Sequence, residues 1–169
     1  MKIIKLILVG LAGMGSQLSA APNPQFFDYS KFEEIVLETH GKRKKSSLNE
    51  REFLKAMNSG EYLILDARSF KNFKLRHIKG AKNLPLTEFT ERKLKEVIPS
   101  KETKVLIYCN NNFTGAPVSF ASKMAPASLN ITTQVHLRAY GYENIFELEP
   151  TIDIKKTSLP FVGKELISR

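Results

Sequence analysis

The chain carries a single cysteine, Cys109, and that cysteine is the second residue of the run YCNNNFTG, Tyr108 to Gly115. A thiol can act as a nucleophile, as a soft metal ligand or as a redox centre, and it does each of these as the thiolate. Three asparagines follow it, Asn110, Asn111 and Asn112, then Phe113, Thr114 and Gly115. The amides and the Thr114 hydroxyl are uncharged hydrogen-bond donors. An Asn-rich stretch ending in glycine also favours a turn whose backbone N–H groups gather around one point. A lone cysteine forms no internal disulfide, so Cys109 is either a small buried hydrophobe or a reactive thiol. His40 and His136 are isolated, and no spacing of Cys, His, Asp or Glu suggests a metal site or calls for a cofactor.

The elements around the cysteine place it. KVLIYC, 104–109, and YLILDAR, 62–68, are continuous apolar runs that read as strands buried on both faces, and NIFEL, 144–148, is a third strand. Between them lie helical patterns. DYSKFEEIVLETH sets Phe32, Ile35, Val36 and Thr39 on one side, with Asp28 or Ser30 as its cap. SLNEREFLKAM begins with a capping-box spacing, Ser47 and Glu50, and ends at Asn58-Ser59-Gly60. FKNFKLRH is a short helix, EFTERKLKEVIP an amphipathic one closed by Pro99, and GAPVSFASKMA reads as a helix directly after the cysteine loop. Alternating strands and helices predict an α/β layer fold with a mostly parallel central sheet flanked by helices. Sites in such sheets form beyond the carboxyl ends of the strands. Cys109 sits at such an end, and a loop of N–H donors above a helix start there would stabilise an anion.

The 169 residues suffice for one domain; 42% hydrophobic and 25% charged residues are ordinary for a globular protein. The first residues differ. Lys2 and Lys5 precede an apolar run, Leu6 to Met14, and then small and polar residues to Leu18-Ser19-Ala20. This is the pattern of a secretory signal peptide, residues 1–20, and it predicts a periplasmic or secreted mature chain with no stable membrane insertion after cleavage. Cleavage removes two lysines and lowers the net charge from +9 to +7. The basic run Gly41–Lys45 is short and free of aromatics, and it reads as a solvated loop between helices; nucleic-acid binding is not expected.

The motifs resemble the rhodanese-like sulfurtransferase domain family. LDARSFKNFKLRHIKGAKNLP, Leu65 to Pro85, is similar to the family's Asp-x-Arg strand end and its His-Ile-x-Gly-Ala-x-Asn-Leu-Pro run. VLIYCNNNFTG resembles the strand, catalytic cysteine and active-site loop, and GYENIFEL the closing strand. The resemblance spans residues 46–150, leaving 21–45 as an N-terminal helix and basic loop and 151–169 as a tail. It implies a rhodanese-like three-layer fold. It also implies sulfur transfer, in which the Cys109 thiolate takes sulfane sulfur from a small donor and passes it to cyanide, a thiol or a protein acceptor. The expected substrate-binding residues are Asn110, Asn111, Asn112, Phe113, Thr114 and Gly115, with Arg68 lending positive potential. In the family's pattern Asp66 and Arg68 form an architectural pair and His77 belongs to a structural turn.

Departures from the family's pattern sharpen the expectation. Asn112 stands where the family usually has glycine, and asparagine tolerates positive φ. Asn110 and Asn111 stand where thiosulfate-using members often carry cations, which predicts weak use of thiosulfate. Residues 122–133 read as an insertion, either a lid or an extended helix and loop. The competing reading is a rhodanese-fold binding module without chemistry. A cysteine phosphatase would need Arg where Gly115 stands, and a thiol–disulfide oxidoreductase would need a second thiol from a partner.

Overall fold

The computed structural model describes residues 26–166; the segment Met1–Ala20 read as an export signal lies outside them. In chain order the elements are α1 (Tyr29–Ser46), β1 (Ser47–Leu48), α2 (Glu50–Asn58), β2 (Tyr62–Asp66), α3 (Phe70–Leu75), β3 (His77–Ile78), β4 (Lys82–Asn83), α4 (Glu91–Val97), β5 (Lys104–Tyr108), β6 (Phe113–Thr114), α5 (Leu129–Ala139), β7 (Ile145–Leu148), β8 (Ile152–Asp153) and β9 (Phe161–Val162).

Five strands form one sheet in the order β1-β7-β5-β2-β4, and every pairing in it is parallel. Leu65 stands beside Ile107, Ile107 beside Glu147, and Glu147 beside Ser47. Because side chains alternate along a strand, the apolar runs bury both faces. Leu65, Val105, Ile107 and Ile145 pack with Leu94 of α4 and Leu137 of α5. Ile64, Leu106, Tyr108 and Leu148 pack with Phe53 of α2 and with Phe113 and Phe120. The expected three-layer α/β fold with a parallel central sheet is therefore observed.

Four local expectations are corrected. The basic run Gly41–Lys45 is the last part of α1, not a loop. Lys and Arg are good helix formers, and Arg43, Lys44 and Lys45 occupy the last turn, where the helix dipole favours cations. Lys42 pairs with Glu38 and Glu143, and Arg43 with Glu147. The capping box of α2 is Asn49 with Glu52, because Ser47 and Leu48 are drawn into the sheet as β1. No helix follows the cysteine loop: residues 115–124 are irregular and lead through a 3-10 turn, Ala125–Ala127, into α5. Gly115 turns the chain at φ 81°, Pro117 and Pro126 lack N–H donors, and the Ser119, Ala121 and Lys123 carbonyls are taken by side chains of Arg68, Asn110 and Asn111. Finally, Asn112 does not occupy positive φ, which only glycines adopt among the described residues.

Residues 151–166 fold back onto the body. β8 pairs with β6, β9 runs antiparallel to β3, and Leu159 is buried. Gly163, at φ 140°, lies where a Cβ would come within 2.3 Å of the Leu75 carbonyl oxygen. Among the described residues no helix is long and apolar enough to cross a membrane.

Candidate active site

β5 is the central strand of the sheet, and Cys109 is the first residue beyond its carboxyl end. The backbone there is extended, and Asn110–Asn112 then form a single 3-10 turn. Cys109 and Asn112 close this turn reciprocally. The Cys109 N–H donates to Asn112 Oδ1 at 2.8 Å, and the Asn112 N–H donates to the Cys109 carbonyl at 3.3 Å while also facing the cysteine sulfur. The N–H groups of Asn110 and Asn111 lead this turn, and the leading N–H groups of a helical turn have no acceptor within it.

The asparagine side chains have other work. Asn112 Nδ2 donates to the carbonyls of Leu148 and Pro150, pinning the turn to the end of β7. Asn110 Nδ2 donates to the Ala121 carbonyl. Asn111 donates to the Lys123 carbonyl at 2.9 Å and accepts the Lys123 N–H at 2.8 Å. All three amides therefore hold protein backbone; what remains for a bound anion is the turn's backbone N–H groups.

The other residues expected to touch substrate are distributed differently. Phe113 is core, with ring centroids 4.7 Å from Phe120 and 5.1 Å from Phe161. Thr114 is exposed and pairs with Asp153 in β8, while Gly115 turns away beside the Asp153 side chain. Arg68 is fully buried. Its guanidinium grips Asp66 through Nε and Nη2 and donates to the carbonyls of Ser119 and Arg76. It lies 4.1 Å from the Phe120 centroid, so its charge is spent inside the protein. Tyr108 completes this hub by donating to Asp66 Oδ2 at 2.6 Å and accepting the Ile78 N–H. Burial, followed by the Asp66 charge, raises the Tyr108 phenol well above its ordinary value. His77 Nδ1 meets the Phe73 carbonyl at 2.7 Å and its ring stacks on Phe73, which is a structural position.

The structure adds residues that sequence reading missed. Ser128 Oγ lies 3.5 Å from the Cys109 sulfur. Ser128 is the N-cap residue of α5, yet its side chain makes no capping bond. The segment read as an insertion thus delivers a hydroxyl and the start of a helix to the thiol. The signal available in sequence was a serine before a helical run, and it pointed to capping alone. A cavity of about 500 Å³ opens above Cys109, walled by α1 (Val36, His40, Arg43), α5 (Asn130, Gln134) and the end of β7 (Glu147). Cys109 is among its lining residues and is itself 1% exposed. Among the described residues no group of three metal-capable side chains comes together.

The family model described as Rhodanese-like domain matches residues 49–149. The solution structure of the rhodanese-like domain from an Anabaena protein superposes with a TM-score of 0.52 at 18% identity, covering 73% of this chain and 83% of that one. The crystal structure of a Bacillus halodurans protein gives 0.53 at 18% identity, covering 79% and 88%. At such identities these likenesses speak for the fold. No curated protein sequence matches this chain.

Proposed function

The chain belongs to the rhodanese-like domain family, and from that premise we propose that it transfers sulfane sulfur through Cys109. The observation that carries this reading is the position of the thiol. It follows the central strand directly, lines a cavity, and is faced by the Asn112 N–H and the Ser128 hydroxyl. Donors aimed at a sulfur stabilise it as an anion, both as thiolate and as persulfide.

In the first half-reaction the Cys109 thiolate attacks the outer sulfur of a donor R–S–SH. The Sγ–S bond forms, the donor's S–S bond breaks, and its electron pair leaves on RS⁻. In the second, cyanide or a thiolate attacks the outer sulfur of Cys109–S–SH and the pair returns to Sγ. A protein thiol is an equally valid acceptor. The cations near the site are already paired: Arg43 in the cavity wall is held by Glu147 and Arg68 by Asp66, while Asn110 and Asn111 hold backbone. Uncharged or persulfide-type donors are therefore the better substrates.

A binding module is the second reading, favoured by the 1% exposure of Cys109. Mass spectrometry after incubation with a donor panel (thiosulfate, mercaptopyruvate, polysulfide, a low-molecular-weight persulfide) separates the two. Sulfur transfer requires a reductant-sensitive gain of one sulfur mass on Cys109, lost in Cys109→Ser. Absence of that adduct with every donor leaves the binding module. We also propose export, supported by Lys2, Lys5, the apolar Leu6–Met14 run and Leu18-Ser19-Ala20. Amino-terminal sequencing of protein from its host should begin at Ala21; an intact Met1 would refute it.

A further inference from the structure

We propose that the cavity over Cys109 is a built subsite for a small thiol or persulfide bearing a protonated amine. The proposal deepens the sulfur-transfer reading and rests on it for the chemistry, though not for the binding.

One wall comes from outside the matched residues 49–149. Helix α1 brings Val36, His40 and Arg43 to the cavity and is fastened there by Arg43 Nε to Glu147 Oε1 at 2.6 Å. The facing wall is polar and buried. Asn130 is 5% and Gln134 1% exposed, and both line the cavity.

The hydrogen bonds fix which atom Asn130 leaves open. Asn112 Oδ1 must be the oxygen, because it accepts the Cys109 N–H while Nδ2 donates to two carbonyls. Asn130 Nδ2 in turn donates to Asn112 Oδ1 at 3.2 Å and to the Leu148 carbonyl at 3.5 Å. A flipped Asn130 amide would set oxygen against two oxygens. Its Oδ1 is therefore held as an acceptor, and that atom is buried without a donor. Gln134 Oε1 is also buried without a donor, and no hydrogen bond sets which way the Gln134 amide points. Glu147, 3% exposed, adds a carboxylate to the same lining.

Two amide oxygens and a carboxylate call for a donor-rich, positive group, and an ammonium supplies three N–H donors and no acceptor. An ammonium that reached these oxygens would satisfy them with charge-assisted bonds. The lining carries two carboxylates, Glu147 and Glu149, with Arg43 paired to Glu147 and His40 in the same wall. That balance opposes a dianion and favours an amine. With the ammonium so held, the thiolate RS⁻ of the same molecule attacks the outer sulfur of Cys109–S–SH. RS–SH forms, and the electron pair of the broken bond returns to Sγ.

The test uses the mature chain and unreactive S-methyl probes, followed by NMR titration. S-methylcysteamine should bind about tenfold tighter than methylthiopropionate, which differs in carrying a carboxylate head. Gln134→Met should weaken S-methylcysteamine binding severalfold without lowering Tm, since it removes a buried acceptor that has no partner. Glu147→Gln, which keeps an acceptor for Arg43, should narrow the preference for the amine. In a second arm, Cys109 persulfide should be discharged faster by cysteamine than by mercaptopropionate. If no donor loads Cys109, sulfur transfer fails while the binding arm still decides the subsite. Equal binding of the two probes, or unchanged binding in both variants, overturns the subsite.

Discussion

The hydroxyl of Ser128 lies 3.5 Å from the sulfur of Cys109, and it makes no capping bond to the helix that Ser128 opens. Serine at an N-cap ordinarily accepts an N–H from the first turn. Here the hydroxyl is turned to the thiol, where it can donate to an anionic sulfur. Ser128→Ala should slow persulfide loading about fivefold, the equivalent of one hydrogen bond of roughly 1 kcal/mol. Stability should hardly change, because no cap is lost. Single-turnover loading with a persulfide donor, beside a thermal melt, checks both. A slowed rate with an equal fall in Tm would assign Ser128 to structure instead.

Arg68 and Asp66 are each almost fully excluded from solvent, and their ion pair ties β2 to the backbone at Arg76 and Ser119. Removing one partner of a buried pair leaves the other charge without compensation. Arg68→Met should cost about 3–5 kcal/mol of stability, and Arg68→Met combined with Asp66→Leu should recover part of that loss. Urea midpoints of the three proteins decide it. A near-neutral Arg68→Met would mean that the hub is not what holds the 116–120 segment.

Tyr108 supplies a pH dependence. Burial, then the neighbouring Asp66 charge, raises its phenol well above the ordinary value of about 10. The unfolded chain releases that proton first, so above pH ~10 the folded state binds more protons and stability falls as pH rises. The contribution is complete below pH ~10 and is lost on climbing past it. Tyr108→Phe should be less stable near neutrality, because Asp66 Oδ2 and the Ile78 N–H lose a partner. The gap between the two proteins should then shrink between pH 9 and 11, as urea titrations would show. A constant gap would contradict the assignment.

The sheet and its central cysteine were legible because they rest on apolar runs and a strand end, which are local features. Asp66 and Arg68 were also readable as a structural pair. The cavity was not. Its walls come from α1, from α5 and from Glu147 on β7, segments distant in sequence, and nothing local marks Gln134 or Asn130 as facing the thiol. The helix expected over 115–125 failed for a related reason. Carbonyls that a helix would keep for itself are claimed from afar by Arg68, Asn110 and Asn111. The asparagines were recognised as loop residues, but a hydrogen-bonding side chain does not reveal from its own position whether it serves ligand or backbone.

Asn111 decides between those two roles. As a substrate contact it would gain from positive charge, so that Asn111→Lys would raise thiosulfate turnover. The structure instead shows its amide bridging Lys123 in both directions, Nδ2 to the carbonyl and Oδ1 from the N–H. Two such bonds are worth on the order of 1–3 kcal/mol together. Their loss in Asn111→Lys or Asn111→Ala should loosen the 121–124 segment, which lies on the approach to Ser128. Lys123 is exposed and is a tryptic site within that segment, so cleavage there reports the loosening directly. Cleavage should accelerate by about tenfold or more in both variants when opening is fast relative to proteolysis. Persulfide loading should fall with it, because Ser128 is no longer held at the sulfur. If Asn111→Lys instead gains thiosulfate turnover while cleavage at Lys123 stays at the wild-type rate, the amide serves the substrate and the backbone bridge is incidental.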